Sequence, residues 1–285
     1  MKVQNLIEED WDYLIVLDAC RYDAFVDLHD EYLDGRVEKR RSPGSSTPEW
    51  AAKTFTDDHD LAYFSGNPFI NSLGIPLADL KWGGSCDYEW AASDHIAEVF
   101  DLWRDAWDDD LGTVPPGSVN EAVRSNRDAS ERRSRTVVHY MQPHAPYLRQ
   151  GTGRKLKRIR DGIRAQAADG DDDGPLARIG GVARSRLERV LGESTLAMQL
   201  GMWAELDVDS LPAIGADGAR RTLRRYYEEN LRIVLESVKD LISDLDGRVV
   251  VTADHGEAFG EQGVWEHHVE TPIPPLIEVP WLEVE

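Results

Sequence analysis

Three short apolar runs along the chain stop abruptly at polar residues. They read "DYLIVLDACRYDAF", "RTVVHYMQPHAPY" and "RVVVTADHGEAFGE". Short continuous apolar runs bounded by polar turns are typical of parallel strands that are buried on both faces. The sequence therefore predicts three buried strands whose polar ends carry Asp18, His144 and Asp254.

A helical pattern directly precedes the third run. Apolar residues recur at intervals of three and four from Leu223 to Leu245, and Gly247 follows as a helix stop. Strands that alternate with helices predict an α/β fold, with a mostly parallel open sheet and helices on both faces. Functional sites in such sheets lie outside the carboxyl ends of the strands, so we expect the three polar strand ends to form one site.

The stretch from residue 149 to 219 does not fit this alternation. It begins with the basic segment "RQGTGRKLKRIRDGIR" and continues into the acidic, Gly-rich "AADGDDDG". We predict one α/β domain over residues 1–285, with 149–219 as a helical insertion or lid and a mobile loop at 169–174. The basic segment could attract an anionic substrate, although a solvated helix face that balances nearby acids is the favoured interpretation.

The charge of the chain narrows the classes of partner. The formal net charge is −21, from 53 acidic and 32 basic residues, and only seven of the basic residues are Lys. Such a surface disfavours nucleic acid and anionic membranes. Because 41% of the residues are apolar and can fill a core, we interpret the acidity as salt adaptation in a halophile rather than as disorder.

The first twenty residues contain only a five-residue apolar run. This run is too short for a signal peptide or a membrane span, so we expect a cytoplasmic protein without an integral membrane segment. Cys20 and Cys86 lack metal-ligand spacing and are expected to be free, buried thiols.

Metal-ligating residue types gather at two of the predicted strand ends. Asp254 and His255 are adjacent, and Gly256 permits a turn that would let both reach one divalent ion. Asp18 would join them if the two strands are neighbours in the sheet. The alternative interpretation is that these acids cap helices, because Asp is also a good N-cap.

The segment "RSPGSSTPEW" supplies hydroxyl groups at a predicted helix start. From this segment alone, Ser46 and Thr47 are interpreted as N-cap residues. The functional alternative is a nucleophile, because a hydroxyl beside a divalent metal loses its proton more easily and can attack phosphorus or sulfur.

Four segments in order, "LIVLDACRYD", "GSSTPEW", "HYMQPHAPY" and "TADHGEAFGEQGVWEHH", resemble the alkaline phosphatase and sulfatase superfamily. The closest resemblance is to its sulfatase-like branch, in an archaeal and probably salt-loving member. The resemblance implies a metal site formed by Asp18, Thr47, Asp254 and His255. It implies Thr47 as both ligand and nucleophile, with Ser46 as the alternative nucleophile.

The same resemblance assigns roles to His144 and His267, and the predicted mechanism adds one for Arg21. His144 matches the substrate-binding His of the family. His267 could hold the substrate anion, act as general acid or help to bind a second ion. Arg21 would stabilise the non-bridging oxygens, and an ion pair with Asp23 is the equally weighted alternative. The implied cofactor is a divalent metal, zinc or manganese first, with calcium or magnesium as alternatives.

One departure from the family pattern limits the chemistry. Sulfatases that use formylglycine need Arg where this chain has Trp50, so a plain hydroxyl nucleophile is expected. The predicted function is a metal-dependent hydrolase or transferase that acts on a small anionic phosphate or sulfate ester, with a glycan-related substrate as one option. A catalytically silent metal-binding or interaction module, and a phosphomutase or nucleotide pyrophosphatase relative, are the alternatives. The oligomeric state stays open.

Several residues near these motifs are interpreted as structural or supporting residues. His139 is expected to be a satisfied core histidine and His268 to be exposed. Glu257 could orient His255 or stand in the first turn of a helix. The tryptophans between residues 82 and 107 are interpreted as core or interface residues.

Overall fold

The computed structural model describes residues 1–80, 86–149, 154–169 and 215–285. The strands in these ranges, β1 to β10 in chain order, are Lys2–Val3, Tyr13–Leu17, Gly35–Arg41, His59–Ser65, Ile96–Asp101, Arg135–Tyr140, Val249–Thr252, Ala258–Phe259, Trp265–Glu266 and Glu278–Val284. The helices, α1 to α9, are Tyr22–Leu28, Thr47–Thr54, Ala92–His95, Leu102–Asp105, Pro116–Ser125, Arg127–Arg132, Arg154–Asp169, Gly215–Ile242 and Pro274–Ile277.

Eight of the described strands form one sheet, in the order β1-β3-β10-β7-β2-β6-β4-β5. Strand β10 runs antiparallel to both of its neighbours, β3 and β7, while the other pairs in this sheet are parallel. Strands β8 and β9 form a separate antiparallel pair. This mostly parallel sheet confirms the predicted α/β class.

Helices cover both faces of the sheet, as the last two residues of β6 show. Successive side chains of a strand point to opposite faces. The His139 ring meets the Trp50 ring of α2 with centroids 5.9 Å apart. The next residue, Tyr140, donates its hydroxyl hydrogen to Asn120 of α5 at 2.6 Å. One face therefore packs against α2 and the other against α5.

The three predicted strands are immediate neighbours in the sheet. Strand β2 lies between β7 and β6, with Val16 opposite both Thr252 and His139. Because all three strands run parallel, the loops that follow them leave the sheet at the same edge. The topology therefore brings Asp18 and Asp254 together, as the sequence predicted.

Helix α8 confirms the helical pattern that precedes β7. Its apolar stripe is buried in the core, and the fully buried members are Tyr227, Leu231, Val234, Leu235, Val238 and Leu241. The helix packs against α1 and α5 and passes close to the ends of β2 and β6. It therefore reaches from the sheet core to the edge where the site lies.

Two described parts of the predicted insertion are helical, namely α7 at 154–169 and the start of α8 at 215–219. On α7, Lys157 and Arg160 pair with Asp109 at 3.0 and 3.2 Å, and Arg160 lies over the Trp107 ring. These contacts support the interpretation in which the basic segment balances nearby acids. Most of the predicted loop at 169–174 lies outside the described residues, and the division of the chain into core and insertion stays a prediction.

The predictions for the tryptophans and the cysteines can be compared with the burial of the described side chains. Trp90 and Trp103 are buried in the core, while Trp82 lies outside the described residues. Cys20 and Cys86 are free thiols, and Cys20 is fully buried whereas Cys86 is half-buried. Among the described residues, no helix combines the length and the apolar content needed to cross a membrane.

A buried side chain near the amino terminus connects α2 to the end of β7. The Gln4 amide donates to Thr252 Oγ1 and to the Ala253 carbonyl, both at 2.8 Å. Its Oε1 accepts a hydrogen bond from Trp50 Nε1 at 2.9 Å. Since Thr47 lies one turn before Trp50 and Asp254 follows Ala253, Gln4 fixes the elements that carry both residues.

We expect Gln4→Ala to lower the free energy of unfolding by about 1–3 kcal/mol, because it leaves the buried Trp50 Nε1 without an acceptor. Urea unfolding of the variant and the wild type measures this difference. The matched control is Gln166→Ala, whose hydrogen bond to the Asp79 carbonyl is exposed, and we expect it to change stability by less than about 0.5 kcal/mol. Equal effects of the two substitutions would contradict the assignment.

Candidate metal centre and active site

Four predicted residues converge at the edge formed by β7 and β2. Asp18 follows β2, Asp254 and His255 follow β7, and Thr47 is the first residue of α2. All four are at most 3% exposed. Buried carboxylates need compensating partners, so their contacts show what the site is arranged to hold.

The Thr47 hydroxyl lies at the centre of this group. It donates a hydrogen bond to Asp254 Oδ2 at 2.8 Å and lies 3.3 Å from His255 Nε2. Asn67 Nδ2 donates to the same hydroxyl oxygen at 3.1 Å. The neighbouring hydroxyl, Ser46 Oγ, is buried and has no hydrogen-bond partner among the described residues. Of the two hydroxyls, Thr47 is therefore the one that contacts the metal-ligand set.

Asp18 has one satisfied oxygen and one that is not. Its Oδ2 accepts a hydrogen bond from Asn67 Nδ2 at 2.6 Å. Its Oδ1 is buried without a hydrogen-bond donor among the described residues, and His255 Nε2 lies 3.7 Å away. Burial, and then the nearby Asp254 carboxylate, raise the pKa of Asp18 well above its usual value. A cation at Oδ1 would offset both effects.

The backbone around Asp254 and His255 orients both side chains. Asp254 Oδ1 accepts hydrogen bonds from the amides of Ala19 and His255 at 3.0 and 2.8 Å. His255 Nδ1 lies 2.8 Å from the Gly256 carbonyl, so it carries the ring hydrogen and leaves Nε2 as the acceptor. Burial lowers the pKa of His255, which favours the neutral imidazole that metals bind.

Gly256 has a different role from the predicted one. A side chain there would place Cβ 2.0 Å from the Pro275 carbonyl oxygen, so the close approach of two backbones requires glycine. Directly after Asp18, Ala19 has a φ of +58°, which places a non-glycine residue in the left-handed region. Strain of this kind is concentrated at functional sites.

His139 is more than the satisfied core residue that the sequence predicted. It is fully buried, and its Nδ1 pairs with the Tyr63 hydroxyl at 2.8 Å. Its Nε2 has no hydrogen-bond partner among the described residues and lies 3.8 Å from Asp254 Oδ2. Ligand atoms of Asp18, His139 and Asp254 all lie within 4.8 Å of one another.

The donor set fits a divalent metal ion. It combines two carboxylates, two imidazoles and a hydroxyl, and two of the buried polar atoms, Asp18 Oδ1 and His139 Nε2, lack partners among the described residues. Nitrogen and oxygen ligands of this kind suit zinc or manganese. The sequence did not predict His139 or Asn67 in this group.

A second cluster lies beside the first. Ligand atoms of His144, Glu257 and His267 lie within 4.8 Å of one another. The His267 ring is 5.0 Å from that of His144 and 4.4 Å from that of His255. His144 and His267 are partly exposed, so this cluster forms the open side of the site. It could hold a second ion or a substrate group.

Glu257 does not stand in the first turn of a helix, and a role in orienting His255 stays a prediction. The residues that follow it form β8 and not a helix. Its two carboxylate oxygens lie 3.3 Å from His267 Nδ1, so its direct histidine partner in the structure is His267. His268 is exposed, as predicted.

Arg21 does not have the free donors that an anion-binding role in the predicted mechanism needs. It is 6% exposed and binds both carboxylate oxygens of Asp23, at 2.9 and 2.8 Å. Its Nη1 donates to the Glu257 carbonyl and to Glu261, at 2.9 and 2.8 Å. These acceptors occupy Nε and both Nη atoms, so the alternative interpretation, an ion pair with Asp23, describes the residue.

Solved structures share this fold. The soluble domain of lipooligosaccharide phosphoethanolamine transferase A from Neisseria meningitidis matches with a TM-score of 0.50 and 12% identity, over 99% of this chain and 79% of that chain. The integral membrane form of that transferase gives a TM-score of 0.48 and 12% identity, with 99% and 49% covered. This chain thus spans about half of that protein's length.

A phosphonate monoester hydrolase from Silicibacter pomeroyi matches with a TM-score of 0.42 and 14% identity, over 99% of this chain and 67% of that chain. These fold matches are members of the alkaline phosphatase and sulfatase superfamily. No protein-family model matches the sequence, and neither does any curated protein. At 12% identity, the match to the soluble transferase domain shows a shared fold and no more.

The metal site predicts a specific loss in Asp254→Ala. Because Asp254 contacts Thr47, Ala19 and His255, its removal should abolish stoichiometric zinc or manganese binding. Metal analysis of purified protein measures this. Added ion should also raise the melting temperature of the wild type and leave that of the variant unchanged. Equal metal content in both proteins would contradict the assignment.

The Arg21 ion pair predicts how stability depends on pH. Burial alone would raise the pKa of Asp23, but hydrogen bonds and charge from Arg21, with Arg224, lower it to about 2. Because the pKa of Asp23 is lower in the folded protein than its ordinary value of 3.8, the ionised carboxylate stabilises the folded protein at pH values above 3.8. This stabilisation is lost as the pH falls from 3.8 towards 2. The difference in unfolding free energy between wild type and Asp23→Asn should therefore be constant down to about pH 4 and shrink below it. A difference independent of pH would contradict the ion pair.

Proposed function

We propose that this protein is a metal-dependent phosphoester hydrolase or transferase with Thr47 as its nucleophile. One observation carries the proposal: the Thr47 hydroxyl, at the start of α2, contacts Asp254, His255 and Asn67 inside a set of metal-ligating groups. A single hydroxyl held in this way fits a nucleophile better than an N-cap. The fold shared with a phosphoethanolamine transferase domain supports a phosphoester substrate.

Asp18, Thr47, Asp254 and His255 would hold the metal, and His139 Nε2 lies next to Asp254 as a further donor. When bound, the ion supplies positive charge that lowers the pKa of the Thr47 hydroxyl and offsets the charge of the ester oxygens. Asn67 keeps the Thr47 oxygen and the Asp18 carboxylate in place through its two hydrogen bonds.

In the first step, Thr47 Oγ1 forms a bond to phosphorus as the bond from phosphorus to the leaving oxygen breaks. The hydroxyl proton is released along the hydrogen bond to Asp254 Oδ2, at 2.8 Å. His144 or His267, on the open side of the site, donates a proton to the leaving oxygen. Both carboxylate oxygens of Glu257 lie 3.3 Å from His267 Nδ1, on the open side of the site.

In the second step, water or an acceptor alcohol forms a bond to phosphorus and gives its proton to the histidine that was deprotonated in the first step. The bond from phosphorus to Thr47 Oγ1 breaks, and Oγ1 takes back its proton from Asp254. Water gives hydrolysis, and an alcohol gives transfer. We favour phosphate over sulfate esters because Trp50 stands where formylglycine sulfatases have Arg, and because the shared fold includes a phosphoethanolamine transferase. Salt adaptation, an archaeal source, a cytoplasmic location and a glycan-related substrate stay predictions.

Substitutions at the two adjacent hydroxyls test the proposal. With an aryl phosphodiester and added zinc or manganese, Thr47→Ala should lower kcat by at least about 1,000-fold, because no other described hydroxyl contacts both Asp254 and His255. Thr47→Ser should retain part of the activity. Ser46→Ala is the matched control and should change kcat by less than about tenfold.

The contradicting results are specific. A larger loss in Ser46→Ala than in Thr47→Ala would move the nucleophile by one residue. A metal-loaded wild type that binds its ion but turns over neither phosphodiesters nor sulfate esters would favour the silent binding module.

A further inference from the structure

Helix α8 carries two buried polar side chains three residues apart. Tyr227 and Asn230 are 0% and 1% exposed. Residues at this spacing lie on the same face of a helix. Both side chains reach backbone groups in the loops that follow β2 and β6, the loops that contain Asp18 and His144.

Tyr227 holds the turn that follows Asp18. Its hydroxyl donates to the Ala19 carbonyl at 2.8 Å and accepts a hydrogen bond from the Arg21 amide at 2.7 Å. Between these two contacts the backbone passes through the left-handed conformation of Ala19, at φ +58°. A non-glycine residue keeps this conformation only where its surroundings hold it. The Tyr227 hydroxyl is one such constraint, directly beside a predicted metal ligand.

Asn230 holds the loop that carries His144. Its Nδ2 donates towards the carbonyls of Pro143, His144 and Pro146, at 3.3, 3.2 and 3.1 Å. Its Oδ1 accepts a hydrogen bond from the Leu148 amide at 2.8 Å. One amide group thus binds four backbone groups within six residues and fixes where the His144 ring stands relative to that of His267.

We propose that Tyr227 and Asn230 are positioning residues, through which α8 sets Asp18 for metal binding and His144 for proton transfer. The inference rests on the proposed function for the role of His144, and on the metal site alone for Asp18. Because α8 is hydrogen-bonded to both loops, it fixes the position of Asp18 relative to His144. A displacement of about 1 Å in such a constellation can cost about 100-fold in rate.

Substitutions of Tyr227 and Asn230 should have different effects on zinc affinity and on kcat. Tyr227→Phe removes only the hydroxyl and should weaken zinc binding by about 10- to 100-fold, because the turn beside Asp18 loosens. Asn230→Ala should leave zinc affinity at the Asp18 site unchanged and lower kcat by about 10- to 100-fold with little change in KM. Zinc titration of the metal-free protein and steady-state kinetics measure these effects. Asn230→Ser, a smaller change, replaces Asn230→Ala if that variant does not fold.

A third readout does not depend on activity. In protein labelled with ¹⁵N in the histidine rings, Asn230→Ala should shift or broaden the resonance of His144 and leave that of His139 unchanged. The His144→Gln variant assigns the resonance. If the loaded wild type proves inactive, the proposed function fails, and the zinc titration and the ring resonance still decide the positioning roles.

Asn120→Ala is the matched control. Asn120 is 2% exposed, donates to the Ser237 carbonyl of α8 at 2.8 Å and accepts from the Tyr140 hydroxyl, so it makes buried bonds of the same kind. It should lower the melting temperature and leave zinc affinity, kcat and the His144 resonance unchanged. The proposal is overturned if Tyr227→Phe and Asn230→Ala do only what Asn120→Ala does.

Discussion

The burial of two acidic side chains, Asp18 and Asp254, is the constraint on which the rest of the site depends. Ligand atoms of both lie within 4.8 Å of a ring nitrogen of His139, and all three residues are at most 1% exposed. Two buried carboxylates so close together repel each other and lose their hydration. The surrounding groups offset part of this cost, but Asp18 Oδ1 is left without a donor among the described residues. A divalent cation at this oxygen would offset the remaining cost.

The architecture follows from this constraint. Parallel pairing of β7, β2 and β6 brings the acids to one edge, and α2 begins there with Thr47. Hydrogen bonds from buried amide and hydroxyl side chains then fix α2 and the loops after β2 and β6, which the pairing of the strands does not fix. Gln4 joins α2 to β7, and Tyr227 and Asn230 join α8 to the loops after β2 and β6. Such bonds are costly to break because their partners are buried.

Much of this fold could be predicted from the sequence, because apolar runs and helical spacing report burial directly. The strands that end before Asp18 and Asp254, and the helix that precedes β7, are examples. The candidate ligands Asp18, Asp254 and His255 were singled out through their residue types at strand ends, and the structure brings these three side chains together. His139 was not predicted as part of the cluster, because a histidine inside an apolar strand looks like a core residue until its neighbours are known.

The remaining misses share a physical cause. Asn67 enters the site only because β4 lies beside β6, and the partners of Arg21 and Glu257 come from segments that the fold brings together. Pairings between distant residues leave no periodic signal in the sequence.

The most direct test of the central claim is to trap the covalent intermediate. Metal-loaded protein would be mixed with an aryl phosphodiester, quenched in acid during turnover, digested, and its peptides examined by mass spectrometry. The account predicts a phosphoryl adduct on Thr47 that is absent from Thr47→Ala. Turnover without any adduct, or an adduct on Ser46, would contradict Thr47 as the nucleophile.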